Sequence, residues 1–421
     1  MTSVRVLVLG GGSSQLSLIV RCRELGLFTI LADRNPEAPG RSCSDAYEQA
    51  STFDGEAVLA AARRQKVDAI LTAGTDQPVL VAARVAAELG LPSFLDEETA
   101  LAVTNKGVMK ARLRELKLPC ANWALVGADI DEGELQRMKP PYVTKPVDSQ
   151  GQRGVFRLPN SRAVKAAAGE VISYSRERCF LVEEYYPSLE VTVSGWVTQG
   201  ETTIFTITDR VTQESPPHIG VCFAHRYPSF LESRFADISS LAGKVVEGFG
   251  IREGPIYFQF LSGDRGLFVN EISCRLGGAY EDLFIPQVTG IDILDLLIRG
   301  SLGERVGPAP RRGFDRAAAP KRVSVPLLFC RPGRISRLSD LDTVLALPGV
   351  IAARWLKPEG ARIGPLANST ERVAFLVVEA ANRDQINNRI RTAIDAMSVR
   401  DELGREMLLD ALPHATHPEP V

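Results

Sequence analysis

The chain opens on an apolar run, Val4-Arg5-Val6-Leu7-Val8-Leu9. It ends in Gly10-Gly11-Gly12-Ser13-Ser14 and passes at once into a helical pattern over 15–25. An almost wholly apolar run of this length reads as a strand buried on both faces, the habit of parallel sheets. A second such run covers 28–32 and stops at Asp33. A helix over 57–65, a strand over 69–72 and a helix over 79–89 follow. Strands alternating with helices at this spacing need crossover connections. The first 104 residues are therefore expected to form an α/β, doubly wound parallel sheet with helices on both faces.

A glycine turn between a strand and a helix N-terminus is a natural cradle for an anion or ligand. The dinucleotide fingerprint is G-x-G-x-x-G with an acid about 20 residues further on. Gly10-x-Gly12 and a suitably placed Asp33 are present, but Gln15 stands where the third glycine belongs. That argues against a nicotinamide cofactor. Two readings stay open: a plain chain turn, or a loop in which Gly12 and Ser13 touch a small substrate. Thr75-Asp76 follows another strand of this block. Asp76 either meets substrate at the sheet's carboxyl edge or caps the next helix.

Near residue 104 the pattern changes to α+β. A helix over 106–116 leads into strands over 142–145, 155–158, 180–184, 191–197 and 202–208, with a helix over 161–175 between them. A helix over 236–249 precedes strands over 256–261 and 267–272. Residues 303–322 carry Gly, Pro and Arg with little apolar periodicity and read as a linker. A last block is expected to run strand 323–328, helix 340–347, strands 351–355 and 373–379, and helix 383–396, before a Pro-rich tail with His414 and His417. At 421 residues, two to four domains are expected.

Charge excludes some classes. Lys plus Arg number 49 against 51 Asp plus Glu, for a net charge of −2. A broadly basic nucleic-acid binder is thus not expected. No run of 18 apolar residues exists, so no membrane partner is expected, and the N-terminus lacks signal-peptide form. Seven scattered cysteines without a C-x-x-C pair suit a reducing cytoplasm better than a disulfide framework. Four histidines leave little for a His-rich metal site.

The centre of the chain carries chemistry. Lys145 ends a strand and precedes Ser149-Gln150-Gly151-Gln152-Arg153-Gly154. An ammonium beside a flexible loop rich in N–H donors suits phosphate, although a surface hairpin would explain it too. Glu183-Glu184-Tyr185-Tyr186 closes an apolar strand and Glu190 follows; a solvated strand end is the plain alternative. Gln259 and Glu271 fall on two strands that could form a hairpin with both on one face. Ser273 shares the facing of Glu271, and Arg275 follows. Oxygen ligands beside an arginine suit Mg²⁺ with phosphate; a buried acid paired with Arg275 is the alternative.

In this order and spacing, these pieces resemble the ATP-grasp superfamily, most of all the carbamoyl-phosphate-synthetase-like carboxylate–amine ligases that include L-amino-acid ligases. The likeness covers residues 1 to about 305 and weakly the rest. It implies a Rossmann-like pre-ATP-grasp domain over 1–104, a small lobe over 105–188, a central lobe with the metal site over 189–308, and a small α+β accessory domain with the tail over 309–421. Asn105-Lys106-Gly107-Val108-Met109-Lys110 matches the family's D-K-x-x-x-K, with Asn for Asp. By resemblance, Lys106 and Lys145 hold ATP phosphates. Ser149, Gly151 and Gly154 belong to the closing loop. Glu183 lies at the adenine amino group, backbone atoms of Glu184 and Tyr186 complete adenine recognition, and Glu190 binds ribose. Gln259 and Glu271 hold one or two Mg²⁺, with Mn²⁺ a substitute, and Arg275 meets the transferred phosphate. Ser273 departs from the pattern by replacing an asparagine, which puts second-metal geometry in question.

The implied reaction is ADP-forming ligation of an amino acid or similar carboxylate to an amine, through an acyl phosphate. Catalytic work falls to Arg275 and Lys145, with small-molecule substrates and a homodimer as an open arrangement. Arg275-Leu276-Gly277-Gly278 looks like the amino-acid-ligase side of the superfamily. Gly277 and Gly278 either offer N–H groups to a substrate anion or merely turn the chain. His218, His225 and Arg226, in an irregular Pro-containing segment, are candidate substrate contacts: Arg226 for a carboxylate, a histidine for the amine proton. Alternatives are purine-type transformylation or carboxylation, and a nucleotide-binding protein without activity.

Overall fold

The computed structural model describes residues 3–130, 132–308 and 321–410. Residues 309–320 of the expected linker, together with His414 and His417, lie outside the described residues.

Strands Arg5–Leu9, Phe28–Asp33 and Ala69–Leu71 form where the apolar runs predict them. They pair in parallel with Arg5–Leu9 in the middle. A fourth strand, Ala46–Gln49, joins the edge beside Phe28–Asp33. It escapes the apolar-run criterion because none of its residues is buried. Helix Gln77–Leu89 packs this sheet toward the rest of the molecule.

Asn105 marks the turn into the next unit. Its Oδ1 accepts from the N–H groups of Gly107 at 2.9 Å and Val108 at 3.1 Å, capping helix Lys106–Glu115. Asparagine caps as well as aspartate does. The Asn-for-Asp exchange therefore leaves Lys106 at the first helical position.

A large antiparallel sheet follows. Gly266–Ser273 and Gly254–Gly263 form the expected hairpin and continue through Leu189–Thr198, Glu201–Ser215 and His218–Tyr227. The small lobe adds Phe156–Leu158, Tyr142–Pro146, Phe180–Glu184 and Trp123–Val126. His218–Tyr227 corrects the expectation of an irregular segment: it is a central strand, buried from Gly220 on. Its prolines, 216, 217 and 228, stand just outside its ends, where no ladder donor is missed.

The C-terminal block does not stand apart. Strand Arg322–Leu328 pairs with His218–Tyr227, then with Ala374–Ala380, which pairs with Val350–Trp355. One core cluster accordingly joins Val6 and Ile19 of the first sheet, Trp196 and Phe223 of the central lobe, and Val325 and Phe375 of the C-terminal block. Gly333–Leu338, Arg362–Ile363 and Val399–Asp401 make a small separate sheet. No helix among the described residues is long and apolar enough to cross a membrane, and all seven cysteines are free thiols.

Candidate functional site

A cleft of about 1070 Å³, counting its mouth, lies between the small and central lobes. At its inner end Tyr186 stacks on Phe268 at 4.4 Å between ring centres. The Tyr186 hydroxyl donates to the Gly266 carbonyl at 2.9 Å, and Glu184 Oε1 accepts from the Lys139 N–H at 2.9 Å. Both side chains serve the protein's own packing. Glu190 lines the cleft in an ion pair with Arg210, whose other arm donates to the Gly220 carbonyl at 3.0 Å. Burial alone would lower the Arg210 pKa, but Glu190 outweighs it and the guanidinium is held firmly charged.

At the other end, charge converges. Lys106 Nζ lies 3.2 Å from Glu271 Oε1 and donates to the Ser149 carbonyl at 2.7 Å, tying the glycine loop to the strand hairpin. Lys145 Nζ donates at 2.7 Å to both Glu183 Oε2 and Asn270 Oδ1. Glu183 lies between Lys145 and the buried Lys110, the latter 3.1 Å from Oε1. Burial pushes the Glu183 carboxyl up, but Lys110 and Lys145 outweigh it and keep it below the usual range. The Glu183 side chain, expected at the adenine amino group, is engaged here as the anchor of two lysines.

Gln259 and Glu271 stand directly opposite each other in the hairpin register. The register slips just beyond them, leaving Asn270 without a cross-strand partner. Such a bulge re-aims side chains, which is how the adjacent Asn270 and Glu271 both line the cleft. Strict strand alternation would put them on opposite faces, so sequence reasoning missed Asn270. Among the described residues, no three His, Cys, Asp or Glu side chains converge as a metal cage. One carboxylate and neutral oxygens fit a Mg²⁺ that arrives with a nucleotide and keeps phosphate and water ligands.

A second, wider cavity of about 1950 Å³, counting its open mouth, opens from the same place. It shares residues 150–153, Arg210, Gln259 and Glu271 with the first, so the two are continuous. Three units build it: Gly12, Ser13 and Asp76 from the N-terminal sheet, Arg275 and Gly278 from the central lobe, and Lys357, Ser369 and Arg372 from the C-terminal block. Arg275 donates through Nε at 2.8 Å to Asp76 Oδ1, and its guanidinium lies over the Tyr257 ring. Burial would raise the Asp76 carboxyl, but Arg275, the Ser273 hydroxyl and Lys106 hold it below its ordinary value of 3.8.

The glycine loop at the N-terminus packs against Gln15. Gln15 Nε2 donates to the Ala73 carbonyl at 2.6 Å, and a Cβ on Gly10 or Gly12 would meet the Gln15 side chain. Asp33 accepts from the Gly11 N–H at 2.7 Å. Gln15 fills the space that the third glycine would leave open.

Several expected residues lie elsewhere or are already engaged. Ser273 is fully buried, its hydroxyl donates to Asp76, and it lines neither cavity. Asp76 does not cap its helix; its carboxylate is taken by Ser273 and Arg275. The Gly277 N–H donates to Glu281 at 2.7 Å and offers nothing to the cavity. His225 lines the second cavity, whereas Arg226, next along the same strand, does not. Successive strand residues face opposite sides, and only one of the pair can reach it. Burial, then Arg210 and Arg372, drive the His225 pKa well down, so the ring is neutral. His218 meets Phe156 edge to face, at 5.1 Å between ring centres, and lines a separate surface pocket among prolines. Sequence reasoning also missed Arg210, Tyr257 and Arg372, none of which sits in a local motif.

A cleft between two lobes, a glycine loop beside two lysines, and a strand hairpin carrying Gln259 and Glu271 are laid out as in the ATP-grasp fold, and the chain has that fold. Within it, residues 326–402 match the L-amino acid ligase C-terminal domain 2. The crystal structure of L-amino acid ligase from Bacillus licheniformis aligns over 95% of this chain and 99% of its own, at 17% identity and a TM-score of 0.77. The biotin carboxylase domain of the Hydrogenobacter thermophilus 2-oxoglutarate carboxylase, solved with MgADP, ADP and bicarbonate, aligns over 97% and 92% at 19% identity and a TM-score of 0.75. In sequence, the formate-dependent phosphoribosylglycinamide formyltransferase of Pasteurella multocida (strain Pm70) is 26% identical over 186 residues. That match spans 40% of this chain and 46% of the enzyme, less than half of its length.

Proposed function

We propose that the protein is an ADP-forming carboxylate–amine ligase working through an acyl phosphate. One observation carries this: the nucleotide cleft and the wider cavity meet at Gln259, Glu271 and residues 150–153. The phosphate end of a bound nucleotide would therefore face a space large enough for two further molecules. The C-terminal match to L-amino acid ligases supports that side of the fold class.

A carboxylate resists amine attack because its leaving group would be oxide. Attack of one carboxylate oxygen on the γ-phosphorus breaks the bond to ADP and forms the acyl phosphate. The amine then adds to the acyl carbon, phosphate leaves, and the amine proton passes to solvent. Catalysis of this kind is positioning and charge neutralisation. Lys106 and Lys145 are held in place by Glu271, Glu183 and Asn270 to meet phosphate oxygens. Backbone N–H groups of Ser149, Gly151 and Gly154 close over them, and Arg275, fixed by Asp76, meets the transferred group. Glu271 and Gln259 would hold Mg²⁺, or Mn²⁺ with the same oxygen preference, which offsets phosphate charge. Glu184, Tyr186 and Glu190 frame the adenosine end. Gly12, Ser13, Gly278 and His225 line the substrate side.

The curated relatives favour a second reading, in which formate is the acid and a phosphoribosylated amine the acceptor. It is a special case of the same chemistry. Phosphate release screened over paired carboxylates and amines tests both readings. ADP and phosphate should form only with the right acid, and hydroxylamine should trap its hydroxamate. Release of AMP and pyrophosphate would overturn the proposal.

A further inference from the structure

The glycine loop beside Lys145 is tied down residue by residue, and to separate units of the molecule. Lys106 Nζ donates to the Ser149 carbonyl at 2.7 Å. Gln150 Oε1 accepts from the Asp76 N–H of the N-terminal unit at 2.8 Å. The Ser369 N–H of the C-terminal block donates to the Gly151 carbonyl at 3.0 Å, and the Ser369 hydroxyl donates to Gln152 Oε1. Within the loop, Arg153 Nε donates to the Gln150 carbonyl at 3.1 Å.

Such a loop needs holding. Gly151, Gln152 and Gly154 have φ of +70°, +61° and +72°, and for Gln152 that conformation is strained. Glycine also loses the most conformational freedom on ordering. The tie from the C-terminal block is itself well set. Asn368 Oδ1 accepts from the Thr370 N–H at 2.9 Å and caps the turn Ser369–Glu371. Arg372 Nη2 donates to the Ser369 hydroxyl at 3.2 Å, which leaves the hydroxyl proton for Gln152. A peptide unit is planar, so fixing the Gly151 carbonyl also fixes the Gln152 N–H on the other side of that plane. Residues 150–153 line both cavities, whereas Ser369 lines only the wide one. Directed N–H groups in a loop are what a phosphate needs.

We propose that Ser369 is a positioning residue for the phosphate loop. From the C-terminal block it holds Gly151 and Gln152 in place, so a unit beyond the two lobes contributes to nucleotide affinity without touching the nucleotide. The inference rests on the reading that ATP occupies the cleft and on no choice of acid or amine.

Equilibrium binding of MgADP set against AMP tests it. AMP shares the adenosine end but lacks the diphosphate over which the loop would lie. Ser369→Pro removes both donors at once. Proline suits this site, the first position of a capped turn after the extended Asn368, at φ −162° and ψ 177°. Ser369→Pro should weaken MgADP by about tenfold and change AMP by less than about twofold. Ser369→Ala, which keeps the N–H, should fall between, and Ser369→Thr, which keeps both donors, should match the wild type. General damage to the fold would weaken both ligands alike. Trypsin supplies a second readout without nucleotide: cleavage after Arg153 should be faster in Ser369→Pro than in the wild type. Should Ser369→Pro fail to fold, Ser369→Ala and Gln152→Ala carry the comparison. Unchanged MgADP affinity, or equal weakening of MgADP and AMP, overturns the inference. A wild type that binds neither nucleotide overturns the ATP reading instead. Faster cleavage in the variant would then still show that Ser369 holds the loop, and equal cleavage would overturn that as well.

Discussion

Glu271 has two neighbours that matter, Lys106 at 3.2 Å and Gln259 across the hairpin. It is part-exposed, so its ion pair adds little to stability. Glu271→Gln should lower kcat by about 10²–10³, as loss of a preorganised charge contact does, while the melting temperature stays near that of the wild type. Near-wild-type turnover would remove Glu271 from the site. Asp209 makes a different prediction. Burial first, against Ser229 and the Phe230 N–H, pushes its carboxyl up to about 7 from an ordinary 3.8. The folded state then keeps a proton that the unfolded chain releases. Its contribution to stability is full below pH 3.8 and is lost as pH rises toward 7. Asp209→Asn should flatten the fall in unfolding free energy between about pH 4 and 7, read by denaturant titration at several pH values. An unchanged slope would refute the assignment. Lysines and acids such as Lys106, Lys145 and Glu271 were legible in the sequence because their chemistry is local to a motif. Asn270 was not, since a single bulge decides where it points. Arg226 and His225 could not be told apart until the strand's facing was known.

Between elements, close approaches do much of the positioning. The Gly74 N–H donates to the Leu276 carbonyl at 3.0 Å, and a Cβ on Gly278 would lie 2.6 Å from the Gly74 carbonyl oxygen. The loop of the N-terminal sheet thus seats on the turn that follows Arg275, with Asp76 delivered to that arginine. Gly278→Ala should push these loops apart. The expected cost is about 1–3 kcal/mol, the range for overpacking, with a larger fractional loss of turnover than of ADP affinity. Unaltered stability and activity would mean that the two loops do not need this contact. The paired motif Gly277-Gly278 was visible in the sequence, but not that Gly278 seats against Gly74 while Gly277 seats against Glu281. Ala46–Gln49 and His218–Tyr227 were illegible for opposite reasons. The first is a polar edge strand without a buried face. The second is a buried strand whose flanking prolines mimic a loop.

Across the whole molecule, the sheet runs unbroken from the hairpin of Gln259 and Glu271 to the C-terminal block through His218–Tyr227. Removing residues 321–421 would leave that strand without its partner Arg322–Leu328 and would uncover a core shared with Val6 and Trp196. Exposed edges and apolar faces of this kind aggregate. A chain ending at 320 should therefore be recovered as aggregate in size-exclusion chromatography rather than as a folded monomer; a monodisperse, nucleotide-binding fragment would contradict this. The sequence alone determined the parallel opening sheet, the lobes around Lys106 and Lys145, and the hairpin of Gln259 and Glu271. The sheet and the hairpin rest on local periodicity and on residue types with narrow chemistry, and the lobes on the resemblance of their motifs to the ATP-grasp family. Only the tertiary structure decided that Asp76 belongs to Arg275, that Glu183 anchors two lysines, and that Arg372 reaches the shared cavity from about a hundred residues beyond Arg275. Those pairings join residues far apart in the chain, and their partners are chosen by burial and charge balance that no local pattern records.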